Sequence, residues 1–523
     1  MQPSPTVIVD TPSPEPARRL VLELALDPGD ARRLPLLLRG HLLRGDGRRR
    51  AVPLRLNWHD TPAFTLAADG LALAERQQGR ATDWRLERML PEAGALWSPG
   101  SPRSVLAESA ELAALGAALP AGLTQVAGFE GQSRLLLVAD GLATEEGGAG
   151  RVELTLLSGT LRAAAATRPC CRVVLAGPAA AVAALAQVLA GRLHLHVPAA
   201  SLAAEAMDAA GRPAPHRRHV APALPPDQPV SAAFALLVGH LTEVILHEAT
   251  RVSPAEAEPV HQMRVALRRL RSAIGLFGRA VRCPELAACK AGLKALARAL
   301  GPARDWDVFV AGTARTVGAN FPEDRAVRHL LAAAERRRQE AYATLRHHLA
   351  GAEFRRLGIA LAVLAAARPW ETMLAPLAAE GDEEAARQAG RLAGKLTDLA
   401  ARALQRRLRP LREPGADIDA LPAAALHGLR LHGKRLRYAC EFFAPLFPGR
   451  HARRFIRRLS VLQERLGHLN DGAVAAALMA ELGAARGFAG GVVCGFVAAQ
   501  AAGSRAHIAR SWRKFHRLDP FWD

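Results

Sequence analysis

The chain has 523 residues, half of them hydrophobic, and carries 69 lysines and arginines against 49 aspartates and glutamates. This length is too great for a single hydrophobic core and predicts two or three domains. The formal net charge of +20 argues against a cationic partner and favours a polyanion: nucleic acid, an acidic membrane surface or a phosphate polymer. The six cysteines form no CxxC pair, so the sequence predicts neither a zinc site nor a disulfide scaffold.

Residues 1–17 are predicted to form a disordered, proline-rich tail. They place prolines and acids where a signal peptide would have a basic and then an apolar run, so we expect a cytoplasmic protein. The most apolar late stretch begins at Gly487, is rich in glycine and alanine, and lies between polar segments. We therefore expect a buried last helix there and no association with a membrane.

Residues 18–200 consist of short apolar runs broken by glycine, proline and aspartate. This texture predicts a β-rich domain, with helices at 31–43, 105–119 and 179–193. The stretch WHDTPAFTLAADGLALAER, from Trp58 to Arg76, resembles the second and third strands of the CYTH, or triphosphate-tunnel, family. The resemblance implies an antiparallel β-barrel whose inward glutamates hold Mg²⁺ or Mn²⁺ and whose lysines and arginines hold a triphosphate.

The signature of the CYTH family is depleted in this chain. Where the family's first strand reads E-x-E-x-K, this chain has Glu23, Ala25 and Asp27, and the domain contains no lysine. With so few oxygen ligands a hard divalent cation would be poorly held, and metal-assisted hydrolysis would lose its Lewis acid. We predict a degenerate domain without a metal, another cofactor or catalytic residues, and metal-dependent triphosphatase activity is the alternative. The residues of the vestigial tunnel would be Glu23, Arg76, Arg134 and Glu153.

Residues 208–230 are predicted to be a linker, because prolines and a basic cluster, HRRH from His216, show no periodicity. We expect this cluster to be solvated. From Ser231 to residue 516 the apolar residues follow a helical period. The predicted helices are 231–251, 260–279, 285–300, one that begins near Asp305 after a turn at Gly301–Pro302, 323–349, 353–367, 383–411, 420–443, 450–466, 472–484 and 488–515.

The helical region contains a duplication with a shift of 166 residues. In VHQMRVALRRLRSAIGL, His261 and three arginines stand at i, i+3, i+7 and i+10, and LHGLRLHGKRLRYACEF repeats that spacing from His427. On a helix four such side chains fall within about 80° of one another and form a single cationic stripe. Forty-four residues after each histidine comes an aspartate, Asp305 or Asp471, four residues after a glycine.

These paired blocks resemble the CHAD family, the conserved histidine α-helical domain, in motif order and spacing over about residues 230–516. The resemblance implies an all-helical domain that binds inorganic polyphosphate in a basic groove. It also implies two pseudo-symmetric four-helix halves, here residues 231–370 and 381–516 of a domain at 231–516. CYTH domains often precede CHAD domains, which agrees with the order in this chain. The predicted fold is therefore an α+β multidomain protein, with a CYTH-like antiparallel β-barrel at 18–200 followed by an all-α CHAD domain.

The stripes favour anion binding because few acids neighbour them. Residues 259–304 carry ten lysines and arginines against one acid, and residues 427–470 carry ten against two. The planar guanidinium of arginine suits pairs of phosphate oxygens, and basic residues at i, i+4 and i+8 on the following helices would turn two stripes into a groove. The predicted polyphosphate-binding residues are His261, Arg264, Arg268, Arg271, Lys290, Lys294, Arg298, Arg304, His427, Arg430, Lys434, Arg437, Arg454 and Arg458.

Several of the motif residues allow more than one role. The two histidines could contact phosphate, begin a helix or ligate a metal. Asp305 and Asp471 are expected to cap the next helix or to hold an arginine of the stripe. Tyr438 and Trp306 are expected to pack in the core, because one aromatic residue per half is far below what single-strand binders use.

The sequence therefore predicts an inorganic polyphosphate-binding protein, and such a ligand would locate it on polyphosphate granules. No Walker loop, nucleophile triad or GxGxxG motif is present. Basic helices can also bind a duplex backbone without reading its bases, so nonspecific nucleic-acid binding is the rival hypothesis.

Overall fold

The computed structural model describes residues 19–39, 50–98, 120–138, 151–164, 166–415, 418, 421–484 and 487–522. Within these ranges the side chains of residues 375–376, 423, 468–473 and 501–505 are left undescribed. The chain divides into two compact units, residues 1–89 with 95–214 and residues 90–94 with 215–523. The predicted tail at 1–17 and the predicted helix at 105–119 lie outside the described residues.

The first unit is built on one antiparallel sheet of eight strands in the order β4-β3-β2-β5-β6-β7-β1-β8. Within the described ranges the terminal strands β4 and β8 do not pair with each other. The strands are β1 Arg19–Leu26, β2 Val52–Asp60, β3 Leu71–Gln78, β4 Ala81–Arg88, β5 Thr124–Val138, β6 Val152–Ala163, β7 Ala166–Pro178 and β8 Leu195–His196. Its helices are α1 Arg33–Leu37, α2 Thr65–Ala68, α3 Ala179–Arg192 and α4 Leu202–Ala209.

Helices α3 and α4 cover parts of this sheet. Helix α3 packs against β1 and β7, and its bounds agree with the predicted helix at 179–193. Helix α4 packs against β5 and β6, where Trp58, Phe129 and Met207 are buried in one apolar cluster. The face of the sheet that α4 covers therefore holds an apolar cluster.

The second unit is helical, as predicted. Its helices are α5 Val230–Thr250, α6 Glu258–Phe277, α7 Pro284–Phe309, α8 Arg315–Asn320, α9 Arg325–Ala350, α10 Ala352–Ala367, α11 Pro369–Ala379, α12 Glu383–Ala393, α13 Leu396–Arg412, α14 Ala423–Phe443, α15 Arg450–Glu481 and α16 Phe488–His516. Together with the antiparallel sheet of the first unit, these helices confirm the predicted α+β class.

The duplication in the sequence is also a duplication of helices. A shift of 166 takes Val230 and Pro284, where α5 and α7 begin, to Leu396 and Arg450, where α13 and α15 begin. Helices α5, α6, α7 and α9 pack in succession in the first half, and α13, α14, α15 and α16 pack in the same succession in the second. Four helices of each half therefore repeat in the same packing order.

Equivalent residues of the two halves meet each other. Pro229 forms a β-bridge with Lys395, its counterpart 166 positions later. The rings of Phe277 and Phe443, which are also counterparts, lie 5.9 Å apart. Helix α6 packs against α14 and α7 against α15. Such self-matching contacts indicate an approximate twofold axis that passes between α6 and α14.

Three predicted helix boundaries are wrong. Helix α7 runs through the expected turn at Gly301–Pro302 and is followed by a π-helical segment, Val310–Ala314, because buried residues on both sides of the proline keep the helix packed. Helix α15 likewise continues past the expected break at 466–472. The predicted helix 383–411 is divided at Gly394–Lys395, where Lys395 adopts an extended conformation and pairs with Pro229.

Helix α5 is long and apolar enough to cross a membrane, yet 83% of its apolar window is buried inside the protein. Its ring contacts show why: Phe234 packs against Phe277 of α6 and against Trp370 of α11. Helix α5 is therefore the central core helix of its half, and its composition follows from burial on most sides.

Candidate functional site

The stripes of α6 and α14 converge where these two helices pack against each other. Lys434 on α14 shows this directly. Burial, followed by the charges of Arg430, Arg268, Arg437 and Arg264, lowers the pKa of Lys434 to about 8. Two of these arginines belong to α6 and two to α14, so cations from both halves act on one ammonium group.

Tyr438 lies between the two stripes. The guanidinium carbon of Arg268 on α6 is 5.9 Å from the centre of its ring, and that of Arg437 on α14 is 5.6 Å away. These are cation–π distances, and they orient one arginine from each half around the same ring. Tyr438 is only 9% exposed and Trp306 only 1%, so neither ring is open to stack on a nucleobase.

Three of the arginines at the convergence have a buried Nε atom without a hydrogen-bond acceptor in the described chain. The Nε atoms of Arg264, Arg268 and Arg430 are buried and donate no hydrogen bond to a described acceptor. Buried donors in folded proteins nearly always have an acceptor, so three in one cluster indicate a site for acceptors from elsewhere. Of the fourteen predicted residues, Arg437 alone forms an ion pair with a carboxylate in the described part of the chain.

Helix α7 supplies the next side of this cluster. The Nη1 atom of Arg264 lies 3.9 Å from the position that a Cβ would take at Gly301, so the guanidinium lies beside α7 at this glycine. Arg304 acts on His261, whose pKa is lowered by burial and then by the charge of Arg304. Asp305 also lies beside Arg264, and burial raises the pKa of its carboxyl.

The position of Asp305 decides between the roles expected for it. It lies within α7 and precedes no new helix, so the expectation that it caps one is wrong. Its charge acts on Arg264, which agrees with a role in holding an arginine of the stripe. The side chain of its counterpart, Asp471, is outside the described residues.

The remaining predicted residues are exposed or half-buried. Helix α7 packs along α6 and helix α15 along α14, so the basic residues of α7 and α15 flank the two stripes. No described contact joins these side chains to the cluster around Lys434. They are Arg271, Lys290, Lys294, Arg298, His427, Arg454 and Arg458.

Glu441 is an acid at the end of the α14 stripe that the sequence analysis did not single out. Its carboxylate accepts a hydrogen bond from Nε of Arg437 at 3.1 Å and another from Nη2 of Arg269 at 3.2 Å. Glu441 therefore ties a stripe residue of α14 to α6 and neutralises part of the charge there. The sequence feature that could have identified Glu441 is its spacing, because it lies one helical turn after Arg437, at i+4.

A buried polar network beside the cluster was also missed. The carboxylate of Asp307, 3% exposed, accepts hydrogen bonds from the hydroxyl of Tyr342 at 2.9 Å and from Nη1 of Arg338 at 3.1 Å. Arg338 donates further to Glu335 and to the carbonyl of Pro254. This network joins α7 to α9 next to Arg304. The sequence shows Asp307 as the second aspartate of ARDWD, but it does not show that its partners, Tyr342 and Arg338, lie on another helix.

The basic cluster of the linker is only partly solvated, contrary to expectation: His216 and Arg218 are exposed, whereas Arg217 and His219 are half-buried. Arg217 forms an ion pair with Glu243 of α5, and Nε2 of His219 lies 2.7 Å from a carboxylate oxygen of Glu248. The imidazole of His216 stacks on that of His247 at 4.3 Å. Both glutamates are buried, at 4% and 0% exposure, and buried carboxylates need cationic or hydrogen-bonding partners. The linker supplies those partners.

The structure does not bring the four vestigial tunnel residues together. Glu23 is aligned with Val174 of β7, which is aligned with Thr155 of β6, so these three residues share one face of the sheet. Arg134 is aligned with Leu156, the next residue of β6, and therefore lies on the opposite face. Glu153 forms an exposed ion pair with Arg19 at 2.9 Å. Arg76 lies 3.8 Å from Asp83.

Arg172, in the segment CCRVVLAG, was not singled out in the sequence analysis. It lies beside Glu23, where the resemblance to the CYTH family would place a bound metal cation. Its guanidinium is 5% exposed and forms ion pairs with Glu23 at 3.2 Å and with Glu205 of α4 at 2.7 Å. Burial and then Glu23 raise the pKa of Glu87 on the same face to about 7. The described residues contain no group of three or more His, Cys, Asp or Glu placed to hold a metal ion.

Comparison with known proteins agrees with the helical architecture. Residues 235–480 match the family model of the CHAD domain. No curated protein is significantly similar to the chain. The crystal structure of the CHAD domain from the plant Ricinus communis shares 28% identity, with 58% of this chain and 98% of that chain covered and a TM-score of 0.47.

Two further solved structures are more distant. PptA from Streptomyces chartreusis shares 17% identity, with 55% of this chain and all of that chain covered and a TM-score of 0.37. A proposed adenylate cyclase from Bacillus halodurans shares 15% identity over 33% of this chain and 87% of its own, with a TM-score of 0.18. Since all three TM-scores are below 0.5, the resemblance of the N-terminal sheet to the CYTH fold stays a resemblance. The family match, by contrast, spans both copies of the duplicated motif, and residues 235–480 of this chain are a CHAD domain.

Proposed function

We propose that the CHAD domain binds linear inorganic polyphosphate across the stripes of α6 and α14. The observation that carries the proposal is the convergence at Lys434, where cations of both halves meet. A phosphate chain offers a negative charge and acceptor oxygens on every unit. It would therefore neutralise this cluster and supply acceptors for the buried Nε atoms of Arg264, Arg268 and Arg430.

The mechanism is polyelectrolyte neutralisation. Each cation that contacts a phosphate releases condensed counterions, so the logarithm of the affinity falls linearly with the logarithm of the salt concentration. Successive stripe residues at i+3 or i+4 stand about 5–6 Å apart, so one flexible chain can contact several of them. Longer chains make more contacts at a high effective concentration. Such binding would also bring the protein to polyphosphate granules.

The test is a pull-down with polyphosphates of graded length across a salt series. We expect the affinity to rise with chain length and to fall by about 10³-fold between about 50 and 200 mM salt, as it does for proteins with several phosphate contacts. Duplex DNA at equal phosphate concentration serves as the competitor. An affinity independent of chain length would contradict the proposal, and duplex DNA that competes as well as polyphosphate would favour nonspecific backbone binding instead.

Lys434 makes the proposed binding depend on pH above neutrality. Its pKa, lowered from 10.5 to about 8, means that raising the pH from about 7 to 9 removes one cation from the convergence. We expect the affinity at low salt to fall about threefold to tenfold over this interval, because one phosphate contact is lost. The variant Lys434→Arg keeps its charge and should show a flat profile. An equal fall in that variant would assign the pH dependence to another group.

The same pKa predicts an opposite trend for stability. Between pH 8 and 10.5 the unfolded chain keeps the Lys434 proton that the folded protein has lost. The unfolded state then binds more protons, so the free energy of unfolding rises with pH across this window. Denaturant melts at pH 8 and 10 that compare the protein with Lys434→Arg, with no ligand present, isolate this contribution.

A further inference from the structure

A second basic cluster adjoins the C-terminal end of the α6 stripe. The Nη2 atom of Arg407 on α13 lies 3.2 Å from the position that a Cβ would take at Gly275, which stands one turn after Arg271 on the same face of α6. None of the arginines around this point forms an ion pair with a described carboxylate. We call them the α13 cluster: Arg279, Arg402, Arg406, Arg407 and Arg435.

The members of the α13 cluster act on one another. The pKa of Arg406 is lowered by burial and then by Arg279 and Arg402. The pKa of Arg407 is lowered by burial and then by Arg435 and Arg406. Arg279, Arg402, Arg406 and Arg435 are exposed, while Arg407 is half-buried between α13, α14 and α6. Like charges held together at a surface create a place where a polyanion is favoured.

The duplication does not repeat this cluster. Under the shift of 166, Gly275 corresponds to Glu441 and Arg269 to Arg435. Arg269 of the first half is neutralised by Glu441 of the second half. At the equivalent place across the twofold axis the position of the acid is a glycine, Gly275, and Arg407 occupies the space beside it, next to Arg435.

The arginines of α13 have no basic counterparts in α5. The positions equivalent to Arg402, Arg406 and Arg407 are Leu236, His240 and Leu241, of which the last two are buried. Helix α5 is therefore a core helix, whereas its copy presents arginines to solvent. The exposed acids Asp398, in the first turn of α13, and Glu413, directly after its last residue, lie on either side of these arginines.

We infer that the polyphosphate site continues from the α6 stripe across the α13 cluster, so that long chains are held on one side of the twofold axis. The inference rests on the proposed function and deepens it. The stripe from His261 to Arg271 spans about 15 Å at 1.5 Å per residue, so a short chain fills it without reaching α13. A longer chain passes Gly275 and gains contacts with Arg407, Arg406 and Arg402. The second half offers no such extension, because Glu441 closes its stripe.

The test compares two triple variants of the full chain that remove the same charge. Arg402→Gln/Arg406→Gln/Arg407→Gln alters the α13 cluster, and Arg325→Gln/Arg328→Gln/Arg336→Gln alters exposed arginines of α9. We expect the first variant to bind chains of about 100 phosphates about tenfold more weakly and chains of about five phosphates within twofold of the parent, because only the long chains lose contacts. The α9 variant should bind both lengths within about twofold of the parent.

Each outcome has a distinct meaning. If the parent binds neither length, the proposed function fails and the extension with it. If the parent binds both chain lengths, but the α13 variant loses affinity for both lengths equally or for neither, the extension alone is overturned. Gly275→Glu gives an independent check, since it places an acid where the second half has Glu441, against the movable end of Arg407. It should reduce the advantage of long chains in the same way, and an unchanged advantage would count against the extension.

Discussion

Charge reversal in both stripes, Arg264→Glu with Arg430→Glu, is expected to abolish polyphosphate binding. Each arginine is half-buried in a cluster of like charge, and each has a buried Nε without a described acceptor. Reversal changes the local charge by four units, repels phosphate and lets the new carboxylates pair with neighbouring cations such as Arg268 and Lys434. We expect an affinity loss of about 10³-fold or more at low salt, measured by titration with long polyphosphate.

The matched control is Arg325→Glu with Arg336→Glu, two exposed arginines of α9. It changes the net charge by the same amount and should alter the affinity by no more than about threefold, because distant charges are screened. Both double variants should retain the helical circular dichroism of the parent, since neither removes an apolar core residue. Tight binding by the stripe variant would show that the site lies elsewhere on the protein.

The helical repeat of the binding domain could be predicted from sequence because it depends on local periodicity. The spacing from His261 and its copy from His427 fixes four side chains on one face of each helix whatever surrounds them. The shift of 166 then predicts two similar halves, and the helix bounds follow it. The pattern does not predict which faces of α6 and α14 meet. The structure shows this at Tyr438, whose ring lies between Arg268 of α6 and Arg437 of α14.

The features that the sequence analysis did not predict have a common cause, because each depends on a partner that is distant in sequence. The sequence predicts a solvated Arg217, but the buried Glu243 pairs with it. Arg172 stands in an apolar run whose sequence does not show its partners, Glu23 and Glu205. Pro302 was expected to end a helix, but packing on both sides of it outweighs the hydrogen bond it removes. Tertiary contacts of this kind override local propensity, and no single-chain pattern reveals them.

Removal of the Asp307 carboxylate is expected to cause a large loss of stability in the helical unit. Asp307→Ala leaves the buried hydroxyl of Tyr342 without its acceptor and removes the buried partner of Arg338, which keeps the more exposed Glu335 and the carbonyl of Pro254. Breaking a buried, hydrogen-bonded charge pair from one side costs about 3–5 kcal/mol, and the remaining contact with Glu335 places the expected cost near the lower end of that range. We expect a fall in the melting temperature of about 5–10 °C for a domain of this size.

Two further variants separate the charge from the hydrogen bond. Asp307→Asn keeps an acceptor for Tyr342 and should cost less than Asp307→Ala, while Tyr342→Phe in the Asp307→Ala background should add little, because the two groups form one interaction. Asp305→Asn, two residues earlier and without an ion pair among the described residues, is the control and should change the free energy of unfolding by no more than about 0.5 kcal/mol. Equal melting temperatures for Asp307→Ala and Asp305→Asn would mean that the network adds nothing to the fold. If instead the loss is as expected, the network is what fixes α7 against α9, and with α7 the position of Arg304 beside His261 in the proposed groove.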